Sequence, residues 1–326
     1  MAKSLPYMYI AFIILGTTSC AANATLIWII LRNRNFRTIS NIIIVSLATS
    51  DFLLGFIVSP MEMMHHLLPD FDIIGYGCLA HQVVMIFVPL VSIVHLLLVA
   101  IERFVKIVYP LHYHMIATRS RAVILIIFTW LFPFSVSLLP FMGIHQNMES
   151  TNNTDSACSG LDMLPCPYLK TVLGMIGLIC VFMTILYTVI MKIAYRHAKE
   201  LRKIRIPKQK GKIFKSSELK ALLVLVMTVM YFVFSWAPFS VSVIDECMSG
   251  QISTYYTPAI FIAYFNSTVN PLIYGIGNRE LRNSFLAICS KQKRNEIAPF
   301  TTAITTVSAT DRQKPVCKDR ATETSL

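Results

Sequence analysis

Charged side chains are scarce in this sequence. Asp, Glu, Lys and Arg together make up 14% of its 326 residues, whereas hydrophobic side chains make up 55% and the mean hydropathy is +0.61. Soluble domains carry roughly 25% charged residues, so the composition excludes an ordinary soluble chain of two domains. The eight cysteines also lack any CxxC pair, which excludes a zinc framework and a thiol redox motif of that spacing.

Signals of catalysis and of transport are missing as well. The sequence holds no nucleophile–base or metal-ligand spacing, so we expect no enzyme. It has no internal repeat of the kind that marks many transporters, which makes a membrane transporter the unfavoured alternative. The formal net charge of +12 resembles that of nucleic-acid-binding proteins. The basic residues lie between long apolar blocks, however, and we expect no nucleic-acid partner.

What the sequence does contain is seven long apolar blocks. They fall at about residues 7–31, 41–66, 77–108, 122–143, 168–195, 219–245 and 254–275. A bilayer core requires about 20 apolar residues per helix, and hydrocarbon requires that each backbone amide be satisfied within the segment. The sequence therefore predicts an all-α membrane protein, with a bundle of seven transmembrane helices over residues 7–275.

The connectors between the blocks differ in charge. Basic residues follow the first and third blocks, and ten Lys or Arg lie between Arg196 and Lys220, after the fifth block. The alternate connectors are acidic, with Glu149 and Glu246 among their residues. Because basic connectors remain in the cytoplasm, we expect residues 1–6 to be a short extracellular N-terminus. The chain is then a multi-pass protein of the plasma membrane.

Two further segments follow the seventh block. In residues 276–290, Leu281, Phe285 and Ile288 recur with charged residues between them. This spacing is typical of a short amphipathic helix on the inner leaflet, an eighth helix after the bundle. Residues 291–326 are polar and rich in Thr, so we expect them to form a disordered cytoplasmic tail.

Polar residues inside apolar blocks are costly and mark function, and here they recur in a definite order. They are Asn23, Leu47–Asp51 (LATSD), Glu102–Phe104 (ERF), Trp130, Tyr187, Phe232 with Ser235–Pro238 (SWAP), and Asn270–Tyr274 (NPLIY). In this order and spacing the chain resembles the rhodopsin-like (class A) G-protein-coupled receptors over about residues 5–290. The resemblance implies a receptor that transmits an extracellular small-molecule signal to heterotrimeric G proteins, with arrestin as a further partner.

The resemblance assigns a conformational switch to the cytoplasmic ends of the helices. Arg103 follows Glu102 directly, and Glu218 opens the sixth block across from it, so one guanidinium has two carboxylates to pair with. In the family this pairing holds the third and sixth helices together, and its release opens a groove for the G protein. Tyr187 and Tyr274 complete the implied switch.

The same resemblance implies a polar pocket in the middle of the membrane. Its members are Asp51, Ser92, Asn266, Ser267 and Asn270. A buried carboxylate must be neutralised or paired, and a sodium ion with oxygen ligands does this. We therefore expect an allosteric sodium ion at Asp51 and no other cofactor. A protonated Asp51 in a water-filled pocket is the alternative.

The ligand class is open between two branches of the family. Residues 263–268 resemble aminergic and trace-amine receptors, yet Met85 stands where those receptors carry the amine-binding Asp of the third helix. The adenosine, melanocortin and lipid-receptor branch shares the Pro110–Tyr113 loop, yet Val243 and Tyr264 replace its Asn and His. The favoured interpretation is an amine-like receptor that lacks the usual Asp.

Glu62 is the predicted substitute counter-ion for a cationic ligand, because it is a carboxylate inside the apolar second block. The alternative is a Glu at the outer helix end that reaches water by snorkelling. The other residues predicted to line the ligand pocket are Met85, Ile86, Trp236, Phe239 and Tyr264.

The resemblance also implies an extracellular disulfide. It would join Cys78, at the outer start of the third helix, to the second outer loop. That loop offers Cys158 and Cys166. Cys158 is favoured, and Cys166 is then predicted to pair with Cys247.

Three further sites concern modification and a tail partner. Asn152 is the acceptor of a glycosylation sequon on an outer loop, and Cys289 resembles the family's palmitoylation position next to the membrane lipids. These features predict a glycoprotein and a lipoprotein. Thr324–Leu326 fits strand addition to a PDZ domain.

Overall fold

The computed structural model describes residues 5–67, 76–142, 164–203, 216–250, 255–277 and 281–284. Within these ranges every regular element is helical. The α-helices are α1 (Leu5–Arg32), α2 (Ile39–Leu53), α3 (Ser59–Leu67), α4 (Tyr76–Val108), α5 (Tyr113–Ile116), α6 (Arg119–Leu138), α7 (Cys166–Lys203), α8 (Ser216–Ser249) and α9 (Tyr256–Gly277). Short 3-10 turns at Arg34–Phe36 and Leu139–Met142 and a π-turn at Leu54–Val58 complete them.

Six stretches of the described chain are long and apolar enough to cross a membrane. They are Ile10–Arg32, Ile39–Met64, Ala80–Val108, Arg119–Met142, Cys166–Arg196 and Val226–Ser249. The seventh predicted block corresponds to α9, a helix of 22 residues that contains Asn266, Ser267 and Asn270. The seven apolar blocks thus correspond to α1, α2 with α3, α4, α6, α7, α8 and α9.

Two helices begin at threonine caps. The side chain of Thr38 accepts a hydrogen bond from the backbone N–H of Asn41 at the start of α2. Thr118 does the same for the N–H of Arg121 at the start of α6. Such caps satisfy backbone donors that the first helical turn leaves without a partner, so both helices begin after the polar connector.

The second block departs from the single helix that its length predicts. A π-turn at Leu54–Val58 separates α2 from α3. Pro60 follows it closely, and proline both lacks an N–H donor and crowds the carbonyl four residues earlier. A π-turn absorbs such a disturbance by adding a residue to one turn. The turn brings Gly55 against α1, where a Cβ on Gly55 would lie 2.6 Å from the carbonyl oxygen of Gly16.

The core of the bundle is built around α4. This helix packs against α2, α6 and α7, while α1 packs against α2 and α9. By contrast, α8 packs much more extensively against α9 than against α7. These helices belong to one compact unit that extends to Arg282.

The predicted amphipathic eighth helix is described over four residues. Residues 281–284 are helical, with Leu281 buried and Arg282 exposed. The rest of the 276–290 segment after Gly277, and the predicted tail over 291–326, lie outside the described residues. Both therefore stay predictions.

Candidate functional site

The polar pocket predicted around Asp51 is assembled by α2 and α9. The hydroxyl of Ser267 donates to Asp51 Oδ1 over 2.7 Å, and Asn270 Nδ2 donates to Asp51 Oδ2 over 2.8 Å. The Asp51 side chain is completely buried. A carboxylate in this environment requires such donors, because burial removes the hydration that stabilises its charge.

Several buried oxygens of the predicted pocket residues have no hydrogen-bond partner in the described part of the chain. They include Ser92 Oγ, Asn266 Oδ1 and Asn270 Oδ1. Hydroxyl and amide oxygens together with a carboxylate form the oxygen donor set that hard cations prefer. The residues present therefore fit the sodium ion that the sequence predicts, and the site itself stays a prediction.

Asn23 connects α1 to this pocket through hydrogen bonds. Its Nδ2 donates to the backbone carbonyls of Ser19, over 2.9 Å, and Ser267, over 3.0 Å. The Ser19 hydroxyl in turn donates to the carbonyl of Asp51 over 3.1 Å. Three helices, α1, α2 and α9, thus meet through hydrogen bonds beside the buried carboxylate.

The predicted switch pair lies at the end of α4. Arg103 Nε is 3.4 Å from Glu102 Oε2. Glu102 Oε1 accepts a hydrogen bond from Ser40 over 2.7 Å and another from the phenol of Tyr113 over 2.5 Å. The side chain of Glu218 lies outside the described residues, so its predicted pairing with Arg103 stays a prediction.

Tyr113 was not among the residues that the sequence assigned to the switch. Burial raises the pKa of the Tyr113 phenol above its ordinary value, and its hydrogen bond to the Glu102 carboxylate raises that pKa further. The phenol therefore keeps its proton at neutral pH and acts as a donor to Glu102. The ammonium of Lys106 lies 5.7 Å from the centroid of the Tyr113 ring, a distance typical of a cation–π contact.

Tyr187 and Tyr274, the other predicted switch residues, are both buried. Tyr187 interacts electrostatically with Arg103 and Glu102. Tyr274 interacts electrostatically with Arg103 and Tyr187. The hydroxyl of Tyr274 has no hydrogen-bond partner among the described residues. The structure thus brings the predicted switch residues of α4, α7 and α9 to the same end of the bundle.

The predicted ligand pocket holds a buried acid–histidine pair. Glu62 on α3 is 1% exposed, and its Oε2 lies 3.0 Å from His81 Nε2 on α4. The Glu62 side chain does not reach the bundle surface, which argues against the snorkelling alternative. Tyr264 on α9 is fully buried, interacts electrostatically with Glu62, and has a hydroxyl without a hydrogen-bond partner among the described residues.

Aromatic residues of α8 form the apolar part of the predicted pocket. The Trp236 ring is stacked on Phe232 at 5.9 Å and meets Phe239 edge-on at 5.6 Å between centroids. Phe239 also contacts Tyr256 on α9. On α4, Met85 is buried and Ile86 is half-buried. Met85 is thus a core residue of the bundle.

His95 carries a hydrogen-bonded network that the sequence did not reveal. Its Nδ1 lies 2.8 Å from the carbonyl of Val91, which can only accept, so Nδ1 carries the proton. Its Nε2 then accepts from the hydroxyl of Ser46 over 2.8 Å, and it lies 3.1 Å from the hydroxyl of Thr129, which donates to the carbonyl of Ile126. Trp130 Nε1 donates to Ser46 Oγ over 3.0 Å. The network joins α2, α4 and α6, and its only sequence signal is a histidine inside an apolar run.

The disulfide predicted between Cys166 and Cys247 is confirmed, and it joins the start of α7 to the end of α8. Other predicted sites cannot be placed. The side chain of Cys78 and residues Cys158, Asn152, Cys289 and Thr324–Leu326 lie outside the described residues.

Comparison with known proteins identifies the family. The profile described as "7 transmembrane receptor (rhodopsin family)" matches residues 22–274. Similar proteins include an adenosine receptor A2a from Equus caballus, 26% identical over 314 residues that cover 91% of this chain and 75% of that receptor. A histamine H2 receptor from Rattus norvegicus is 26% identical over 81% of this chain and 74% of its own length. An octopamine receptor beta-2R from Chilo suppressalis is 26% identical over 84% of this chain and 78% of its own length.

The chain belongs to the rhodopsin family of seven-transmembrane receptors. It is therefore a multi-pass protein of the plasma membrane and a receptor rather than an enzyme. As a G-protein-coupled receptor it binds small-molecule ligands and G proteins. The predicted class and the predicted seven-helix fold are both confirmed. The adenosine and amine receptors among its relatives match the two branches that the sequence left open.

Proposed function

We propose that this receptor detects a small cationic, amine-like ligand and that Glu62 is the counter-ion of that ligand. The observation that supports the proposal is the burial of Glu62, 1% exposed and 3.0 Å from His81 Nε2. A buried carboxylate is expensive unless it is paired. A receptor retains such a group at this depth when its charge serves recognition.

The charge of the pair favours a cation. Glu62 supplies a carboxylate, whose negative charge attracts an ammonium group. Met85, at the usual place of the aminergic Asp, cannot supply that charge. Histamine and octopamine receptors among the relatives support an amine as the ligand class. The hydroxyl of Tyr264 is a further polar group for orienting the ligand.

The test is a ligand screen on cells that express this chain with several chimeric G proteins. Biogenic amines, nucleosides and lipids are compared on the parent and on Glu62→Gln, which keeps the shape and removes the charge. For an active amine we expect the half-maximal concentration to rise about tenfold or more, because hydrogen bonds to charged groups contribute roughly 1.5–3 kcal/mol. Asp245→Asn, at an exposed carboxylate near the end of α8, is the matched control.

Equal activation of the parent and Glu62→Gln by the same amine would refute Glu62 as the counter-ion. Activation by nucleosides and not by amines would favour the second candidate, a receptor of the adenosine, melanocortin and lipid branch. That candidate is supported by the adenosine receptors among the relatives. It is opposed by Val243 and Tyr264, which replace the side chains that the adenosine branch uses.

A sodium ion held by Asp51, Ser92, Asn266, Ser267 and Asn270 is part of the proposal. The buried oxygens without described partners support it. Arg103, Glu102, Glu218, Tyr187 and Tyr274 are proposed to switch the receptor between its two states.

The remaining partners and modifications follow the family pattern. We propose an extracellular N-terminus, arrestin binding, glycosylation at Asn152, palmitoylation at Cys289 and PDZ-domain binding at Thr324–Leu326. We also propose a Cys78–Cys158 disulfide. Its support is that Cys166, the other cysteine of that loop, is already bonded to Cys247.

A further inference from the structure

A cleft of about 580 Å³ lies between α7 and α8. Its walls are largely apolar, and every residue that lines it comes from these two helices. The residues that matter here are Lys170, Gly174, Gly177 and Cys180 on α7 and Trp236 and Ser240 on α8. Among the residues of the proposed ligand pocket, only Trp236 also lines this cleft.

The cleft exists because α7 carries glycines where it approaches α8. A Cβ at Gly174 or Gly177 would meet no atom within 4 Å. Both glycines are exposed, as is Ala237 on the opposite wall. Since α8 packs mainly against α9, the missing side chains leave a groove that opens on the bundle surface.

The surface around the groove faces the acyl chains of the bilayer. Leu178, Val181 and Val241 are exposed large apolar residues on the same two helices. In a chain that spans the membrane, such residues contact lipid. An occupant of the groove therefore enters from the bilayer.

One end of the groove carries a positive charge. Lys170 is exposed and forms no ion pair with a carboxylate within the described ranges. Cys180 lies ten residues further along α7, which corresponds to roughly 15 Å at 1.5 Å per residue. The groove thus combines a cation at the outer start of α7 with apolar walls that continue along α7 as far as Cys180.

We propose that this groove binds a single-chain fatty acid from the outer leaflet. Its carboxylate pairs with the Lys170 ammonium, and its chain lies over Gly174 and Gly177 toward Cys180. A single acyl chain fits the space that the two glycines leave open. The positive charge of Lys170 favours a lipid with an anionic headgroup. A snorkelling lysine at this depth keeps its charged end at the level of the lipid headgroups, where the carboxylate of a fatty acid lies.

The bound chain touches the wall that contains Trp236. That ring is stacked on Phe232 and lies edge-on to Phe239, so the groove and the proposed ligand pocket share one side chain. The site is separate from the proposed counter-ion, however, and its occupancy does not depend on the identity of the receptor's ligand.

The proposal is tested with purified full-length receptor in phospholipid nanodiscs and a palmitate that carries a photoreactive diazirine on its chain. We expect saturable labelling of peptides from α7 and α8. Unlabelled palmitate should compete for the label, and hexadecanol, which has the same chain without the carboxylate, should compete about tenfold less well. Lys170→Gln should weaken labelling by about tenfold.

Two further variants separate the groove from general lipid contact. Gly177→Phe should abolish the labelling because its ring fills the channel, and the open space at Gly177 allows the variant to fold. Lys192→Gln, an exposed lysine nearer the other end of α7, should label like the parent. Labelling that does not saturate, that spreads equally over α1 and α6, or that both Lys170→Gln and Gly177→Phe leave unchanged would overturn the proposal.

Discussion

Asp51 illustrates how much a single buried carboxylate constrains its surroundings. Ser267 and Asn270 donate to its two oxygens at 2.7 and 2.8 Å, while Ser92 and Asn266 present oxygens without described hydrogen-bond partners. Two donors satisfy part of the carboxylate, and the other oxygens of the predicted set are of the kind that a hard cation prefers. The arrangement therefore supports a stability that depends on sodium.

Sodium is expected to raise the melting temperature of the purified receptor, and Asp51→Asn should abolish this effect. An ion that binds the folded state stabilises it by about 1.4 kcal/mol at ten times its Kd. The measurement is thermal unfolding in NaCl compared with choline chloride of equal ionic strength. Asp245→Asn, which removes an exposed carboxylate, should keep the sodium effect. A parent receptor that melts at the same temperature in both salts would rule out the site.

The residues of this pocket were predictable because they belong to short motifs in a definite order. His95 was not predictable, although its network is equally buried. Its partners lie on two other helices, Ser46 on α2 and both Thr129 and Trp130 on α6, and only the packing of α2, α4 and α6 brings them together. Glu62 is an intermediate case, because the sequence marked the acid, while its 3.0 Å contact with His81 depends on how α3 packs beside α4.

Among the elements, the second apolar block shows the limit of reasoning from hydropathy. Its length predicted one helix, and Pro60 lies within it. The structure instead divides the block into α2, a π-turn at Leu54–Val58 and α3. The helix ends elsewhere lie within a few residues of the predicted blocks, apart from the longer α7. The π-turn escaped prediction because the length of an apolar block does not indicate a local change from α-helix to π-helix.

Gly55→Ala should destabilise the receptor through this contact. The added Cβ would lie 2.6 Å from the carbonyl oxygen of Gly16 and 3.0 Å from Cys20 Sγ. Backbone cannot yield as a flexible side chain does, so we expect a loss of roughly 1–3 kcal/mol, the usual cost of overpacking. Thermal unfolding in detergent measures it. Gly177→Ala, where the Cβ meets no atom within 4 Å, is the matched control, and equal melting temperatures for the two variants would contradict the prediction.

For the whole molecule, the number of helices and their membrane location followed from the sequence, while their packing did not. Seven apolar blocks are compatible with many arrangements. The structure places α4 at the centre and leaves α8 closer to α9 than to α7. The cleft beside Gly174 and Gly177 depends on that asymmetry. A glycine in an apolar block has no sequence signal that separates a tight helix contact, as at Gly55, from an open groove, as at Gly177.

Hydrogen bonds join three elements of the molecule, α2, α4 and α5, at Glu102. Ser40 at the start of α2 and Tyr113 on α5 both donate to Glu102 Oε1, and Arg103 lies beside its other oxygen. The raised pKa of the Tyr113 phenol keeps it protonated, so this donor is present throughout the physiological pH range. These hydrogen bonds hold the Glu102–Arg103 pair in the arrangement seen here.

Tyr113→Phe should therefore raise basal G-protein signalling. The variant removes one hydrogen bond to a charged group, worth roughly 1.5–3 kcal/mol, and a change of 1.4 kcal/mol alters a two-state ratio tenfold. Only the difference in this interaction between the two states shifts their ratio, so we expect basal activity to rise about threefold to tenfold. The measurement is ligand-free signalling at matched surface expression. Tyr109→Phe, at an exposed tyrosine in the same connector, should leave basal signalling unchanged. Basal activity that is unchanged or lower in Tyr113→Phe would show that the hydrogen bond from Tyr113 to Glu102 does not restrain the switch.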